Sequence, residues 1–204
     1  MPMEPFTTVT GTAAAIPLPN IDTDVIMPKQ FLKGIDRSGL GEGAFHDLRF
    51  DAAGRERPEF VLNRPGWRDA AFLVVGPNFG CGSSREHAVW GLKQRGVRAL
   101  LGTSFAGIFF DNCARNGLLA LTLDPTTVTM LMEVAAQPEP AGLTVDLAGG
   151  TIATSDGRCW SFAIDAGRRE ALLHGRDHIA TTLTRTESIT DFEAGHRMRV
   201  PWLP

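Results

Sequence analysis

The sequence predicts an α/β fold: a mixed β-sheet packed with helices, to which an antiparallel meander is added late in the chain. Three observations carry this reading. Apolar runs of strand length alternate with helical-period stretches between positions 70 and 136, which is the rhythm of parallel β-α units. Helix stops and caps fall between them, at Gly96, Asn116-Gly117 and Asp124-Pro125, where a left-handed residue or a first-turn proline belongs. After position 142 the pattern changes to short strands separated by Gly149-Gly150 and Asp156-Gly157, both hairpin-turn pairs.

The elements follow in order. Residues 6–16, with Val9 and alternating threonines, read as the first strand. Asn20-Ile21-Asp22-Thr23-Asp24 comes next, and its side chains bond their own backbone, so it is turn chemistry. Val25-Ile26 reads as a short strand, and Pro28 opens a brief helix through Leu32. Residues 34–66 are rich in Gly, Arg and Asp with poor periodicity; such a stretch inside a compact domain is functional or mobile. An apolar run at 70–75 is a buried strand. A helix over 85–95 stops at Gly96, and a strand follows at 97–101. Ser104 is the candidate cap of a helix over 105–115, then a strand at 118–123 leads into a helix that Asp124 caps and that ends near Ala136. Strands at 143–147, 151–154 and 158–164 form the meander. Asp165 caps a helix over about 168–174, and further helical pieces end near Glu193.

Composition narrows the function. Hydrophobic residues make up 43% of the 204 and charged residues 21%, enough for a substantial core in one domain spanning 1–204. The net charge is −3 and no dense Lys/Arg run appears, which argues against a nucleic-acid partner. The first eight residues hold no basic residue and no long apolar run, and no apolar stretch reaches membrane-span length. The expectation is a cytoplasmic protein without a membrane partner. Cys81, Cys113 and Cys159 are odd in number, far apart and outside any C-x-x-C pair, so neither a disulfide framework nor a metal site is implied. His174 and His178 share a helical spacing but no acidic ligand accompanies them.

The chemistry concentrates in Gly76-Pro77-Asn78-Phe79-Gly80-Cys81-Gly82-Ser83-Ser84-Arg85-Glu86-His87-Ala88, which leaves a strand and opens a helix. Gly80 and Gly82 let the backbone turn and approach a ligand. The first amides of the helix lack internal partners and carry the positive end of its dipole. Ser83 and Ser84 add hydroxyls, and Arg85 adds a fork that matches a carboxylate. The stretch lacks the third glycine of a dinucleotide fingerprint, the Gly-Lys-Ser/Thr of a P-loop and the G-x-S-x-G elbow of hydrolases. On residues alone, two readings stand: an anion cradle, or serines that merely cap the helix.

The stretch from Asn78 to Ala88 resembles the signature of the swivelling domain of the aconitase superfamily. The segment Asn20-Ile21-Asp22-Thr23-Asp24-Val25-Ile26-Met27-Pro28-Lys29-Gln30-Phe31-Leu32-Lys33 resembles the N-terminal signature of the isopropylmalate dehydratase small-subunit family. Similarity continues through Thr103-Ser104-Phe105-Ala106, Asn116-Gly117-Leu118-Leu119, Phe162-Ala163-Ile164-Asp165 and Asp177-His178-Ile179, and so covers nearly the whole chain.

The resemblance implies an aconitase-like swivelling β/β/α domain. It implies a hydro-lyase subunit of leucine biosynthesis that works on a small dicarboxylate, with a large subunit carrying a [4Fe–4S] cluster. Ser83 would be the catalytic base, and Ser84 and Arg85 would hold a substrate carboxylate. Asp24 either organises the active-site loop or only stabilises a turn. Lys29 either reaches a carboxylate or stays in solvent. Glu86 and His87 support the loop. A substrate-side loop at about 27–66 would offer Phe31, Leu32 and Ile35 to an isopropyl group, or turn them to the core. Related citraconate, dimethylmalate or homoaconitate hydratases, and a non-catalytic carboxylate-binding protein, are the alternatives.

Overall fold

One strand organises the sheet because it changes partners along its length. In the computed structural model, which describes residues 3–33, 37–137 and 139–202, β1 spans Thr8–Ile16. Its first half, Thr8 to Thr12, runs antiparallel to β5 (Gly142–Asp146). Its second half, Ala13 to Ile16, runs parallel to β2 (Phe72–Val75). Gly11 stands beside the hand-off, where a Cβ would lie 2.6 Å from the Cβ of Ala71, so only glycine lets the chains cross that closely. Adding β3 (Ala99–Gly102), β4 (Leu119–Thr122), β6 (Thr151–Thr154) and β7 (Cys159–Ser161) gives a seven-stranded sheet in the order β4-β3-β2-β1-β5-β6-β7. The four strands from β4 to β1 are parallel, and β5, β6 and β7 are the antiparallel meander. The mixed sheet read from the sequence is therefore present.

Every residue of β2 and β3 is buried, as expected of parallel strands covered on both faces. Successive side chains point to opposite faces. Leu73, Val75 and Leu100 enter one core, with α1 (Thr23–Ile26), α2 (Leu40–Gly43), α3 (His46–Arg49), α4 (Glu86–Gln94) and α5 (Gly107–Arg115) above them. Phe72, Val74 and Leu101 enter the other, beneath α6 (Pro125–Ala135) and α7 (Ala166–Leu173). The chain then continues through α8 (His178–Leu183) and α9 (Thr186–Arg199).

Three local readings are corrected. Val25 and Ile26 lie in a helix, not a strand, because the Asp22 carboxylate accepts from the Val25 amide at 2.7 Å and starts a turn of helix there. Ser104 does not cap α5; its hydroxyl accepts from the Asn78 amide at 2.9 Å, and the cap residue is Ala106. The last helix runs on to Arg199 instead of ending near Glu193. The weakly periodic segment before β2 contains two four-residue helices and a 3-10 turn at Val61–Asn63. Arg49, 4% exposed, ties it together. Its guanidinium donates to the Asn63 side chain and to the carbonyls of Glu42 and Ala44. Asn63 donates in turn to the carbonyls of Arg49 and Arg57. Burial pushes the Arg49 pKa down from its ordinary value. A buried polar hub of this kind leaves no periodic trace in sequence.

Two predictions follow from the core and from the α6 cap. Leu100 is fully buried, so Leu100→Ala is expected to lower the unfolding free energy by about 2–5 kcal/mol, read from urea denaturation. Asp124 caps α6, accepting from the Thr127 amide at 2.9 Å. Hydrogen bonds from Thr127 hold its carboxyl below the usual carboxylate value. A depressed folded pKa stabilises above the unfolded value, and that contribution is lost as pH falls through the folded value. Asp124→Ala should therefore lower the unfolding midpoint at neutral pH, with the gap to wild type closing below about pH 4; a gap that stays constant into acid would contradict this.

Candidate active site

The carboxyl ends of parallel strands are where an α/β sheet builds its ligand sites. Here the loops leaving β1, β2 and β3 meet at that edge. Single parallel bridges extend the sheet beyond its strands, from Asp22 to Cys81 and from Phe79 to Phe105. Gly80 donates its amide to the Ile21 carbonyl at 2.7 Å, and Thr23 donates to Cys81 at 2.8 Å. On the other side Phe79 donates to Ser104, and Ala106 donates back to Phe79. The Asn78 side chain reaches Asn20 at 2.9 Å, and the Cys81 thiol donates to the Asn20 carbonyl at 3.4 Å. The loop after β2 is thus stitched on both sides.

Its path needs left-handed backbone at Asn78, Gly80 and Gly82, with φ of 57°, 77° and 86°. At Gly80 a Cβ would lie 2.2 Å from Cγ of Phe109. Glycine there brings the loop down onto α5, so that the N-termini of α4 and α5 converge. Neither helix has a side-chain cap. Between them is a cavity of about 130 Å³, lined by Thr23, Gly80, Gly82, Ser83, Ser84 and Arg85 from one side and by residues 106–109 from the other.

Ser83 and Ser84 are exposed at this cavity. Their hydroxyls have no hydrogen-bond partner among the described residues, so the serines do not cap α4. What holds Ser83 is its backbone. Its carbonyl accepts from the Thr23 hydroxyl at 2.7 Å and from the Arg85 amide at 2.8 Å. The Arg85 guanidinium forms an ion pair with Asp24, whose side chain is half exposed. Asp24 thus reaches the loop through Arg85.

The remaining sequence candidates separate. Glu86 faces α5 and accepts from the Asn116 side chain at 2.6 Å. Trp90 donates to the same Asn116 at 2.8 Å, and the Lys93 ammonium donates to its carbonyl; burial pushes the Lys93 pKa down. Asn116 therefore braces α4 against α5. His87 packs its ring 4.7 Å from that of Trp90 and does not line the cavity. Lys29 sits exposed in a 3-10 turn outside the cavity. Phe31 and Leu32 are half-buried and pack against the core, and Ile35 lies outside the described residues. Thr23, Ser104 and Asn116 were not singled out by sequence as site-building residues. Their only signal was hydroxyl and amide side chains in the turns flanking the glycine-rich stretch.

A family model described as the aconitase C-terminal domain matches residues 3–126, and one described as LeuD_N matches residues 129–166. Fold and loop together define a domain of the aconitase class. The 3-isopropylmalate dehydratase small subunit 2 of Salmonella typhimurium is 54% identical over 201 residues, covering 98% of this chain and 96% of its own. The 3-isopropylmalate dehydratase small subunit of Cereibacter sphaeroides is 51% identical over 201 residues, covering 98% and 100%. The chain belongs to the 3-isopropylmalate dehydratase small-subunit family. A solved 3-isopropylmalate dehydratase from Methanocaldococcus jannaschii shares the fold, with a TM-score of 0.63 at 24% identity over 90% of this chain and 98% of that one.

The close approach at Gly80 makes a direct prediction. Gly80→Ala must move Phe109 or the loop, and is expected to cost about 1–3 kcal/mol of stability. Chemical denaturation of the variant measures it, and an unchanged midpoint would show that the loop has another path.

Proposed function

We propose that this chain is the small subunit of the hydro-lyase that isomerises 2-isopropylmalate to 3-isopropylmalate through isopropylmaleate, in leucine biosynthesis. The reading includes a large-subunit partner, a cytoplasmic location, and one swivelling unit over residues 1–204 with residues 27–66 on its substrate side. The observation that carries it is the Ser83-Ser84-Arg85 run, held between two uncapped helix N-termini, in a chain about half identical to relatives of that name along its whole length.

The chemical task is to remove a proton from carbon beside a carboxylate while hydroxide leaves the neighbouring carbon, and then to return the elements of water with the opposite regiochemistry. Arg85 presents a planar fork suited to two carboxylate oxygens. Asp24 occupies that guanidinium in the structure, so a substrate carboxylate takes the place of one already there. Ser84 adds a hydroxyl to the same carboxylate and fixes its orientation. Ser83 is the base. A serine alkoxide needs strong local positive potential, and the dipoles of α4 and α5 together with Arg85 supply it at a fixed position. Thr23 keeps that position constant by anchoring the Ser83 carbonyl.

A [4Fe–4S] cluster on the large subunit would supply the Lewis acid for the departing hydroxyl. The side chains of this chain do not fit such a group. Cys113 is fully buried with its pKa pushed up by burial, Cys81 is tied to Asn20, and Cys159 lies on β7. Among the described residues no three His, Cys, Asp or Glu side chains converge.

The test is isopropylmalate dehydration by this chain alone and with an anaerobically reconstituted large subunit. Turnover is expected only in the mixture. Ser83→Ala should lower it by about a thousandfold while leaving subunit association intact, and Arg85→Lys should raise KM. Near-normal turnover in Ser83→Ala would remove Ser83 as the base. No turnover in a mixture shown to assemble would overturn the substrate assignment.

A further inference from the structure

The carboxyl edge of the parallel strands carries a second concave feature besides the serine cavity. The ladder between β1 and β5 stops at Thr12, so the end of β1 leaves the sheet with no strand paired on that flank. A cleft of about 350 Å³ lies there, walled by residues 15–18, by Phe60 and Trp67 from one face of the sheet, and by the end of α6 from the other. A cleft of about 470 Å³ continues it, between Pro17, Pro77 and Thr103, which follow β1, β2 and β3, and Val128 and Met132 of α6. Pro17 and Ala136 line both clefts, so the two make one groove. Outside α8, α9 and the residues after them, three large hydrophobic side chains are exposed among the described residues: Leu18, Ile108 and Met130. Leu18, 51% exposed, lines the groove, and Ile108, 58% exposed, lines the serine cavity. Single exposed apolar side chains need no explanation, but apolar side chains gathered around a groove at one edge mark a contact surface.

The position of the groove indicates its occupant. The reaction needs a Lewis acid that the side chains of this chain do not hold, so the subunit that brings it must close over the serine cavity. Pro77 in the groove and Gly80 in the cavity are three residues apart, which the chain spans in at most about 11 Å. A stable interface covers about 800 Å² on each partner, a patch roughly 16 Å in radius if round. A partner centred on the cavity therefore reaches the groove as well. Side chains seated in such concavities carry most of the energy of an interface. A second copy of this chain has no such reason to sit here, since it brings no Lewis acid.

We infer that the groove between the ends of β1, β2 and β3 and helix α6 is the anchor site of the large subunit, which seats an apolar segment in it. The inference rests on the large-subunit reading of the function. Isothermal titration calorimetry of the full chain against the anaerobically reconstituted large subunit tests it. Leu18→Glu and Ala136→Arg each place a charge in the groove at an exposed position. Each is expected to raise the dissociation constant about tenfold or more. The unfolding midpoint should stay the same, and so should kcat once the large subunit saturates. Phe192→Glu on α9, away from the groove, is expected to leave the affinity unchanged. Normal affinity in both groove variants would overturn the inference and leave the large-subunit reading standing. So would a loss of affinity in Phe192→Glu alone. A dimer of the free chain that Ala136→Arg dissolves, with large-subunit affinity unaffected, would give the groove to a second copy and overturn it too. No association of the unmutated chain with a folded, cluster-loaded large subunit would overturn both the inference and the reading beneath it.

Discussion

The loop after β2 has no path of its own; it has the one its neighbours impose. Amide-to-carbonyl bonds run from Gly80 to Ile21 and from Thr23 to Cys81 on one flank, and between Phe79, Ser104 and Ala106 on the other. Three loops are thereby made into an extension of the sheet, and their geometry inherits the stiffness of buried parallel strands. The placement of Ser83 depends on it twice, since its carbonyl is gripped from the first flank by Thr23 and from its own chain by Arg85. The Ser83 and Ser84 hydroxyls take no part in this holding, which falls to the backbone and to Thr23.

The same division of labour explains the uncapped helices. A cap on α4 or α5 would satisfy the first amides and blunt the dipole. The structure leaves those amides without side-chain caps and secures the helices elsewhere. Asn116, at the end of α5, donates to Glu86 and accepts from Trp90 and Lys93, all three on α4. By contrast α6 and α7, on the face away from the serine loop, carry ordinary aspartate caps.

Much of this was legible in the sequence, and the exceptions have a common cause. The parallel strands, the meander, and the caps at Asp124 and Asp165 follow from periodicity and turn chemistry, which are local. The Ser83-Ser84-Arg85 run was legible because glycines before a helix have a local meaning too. What escaped depends on partners distant in sequence. The Ser104 hydroxyl belongs to Asn78 instead of to the helix beginning nearby. Arg49 looks like a surface charge until Asn63 and two carbonyls enclose it. Thr23 reads as one more turn residue until the Ser83 carbonyl arrives from 60 positions away. Val25-Ile26 failed for the opposite reason: two β-branched residues suggest a strand, and a single capping aspartate outweighs them.

The divided pairing of β1 also sets the order in which the protein can come into being. A ribosome delivers this strand first, yet Ala13 to Ile16 have no ladder until Phe72 to Val75 emerge, and Thr8 to Thr12 have none until Gly142 to Asp146 do. Contacts spanning such separations close slowly, because the intervening loop must be ordered before they form. The first half of the strand therefore stays unclaimed long after the second half can pair, until residue 146 of the 204 has been made. During that interval its unpaired backbone groups are open to wrong partners, the exposure that chaperones relieve.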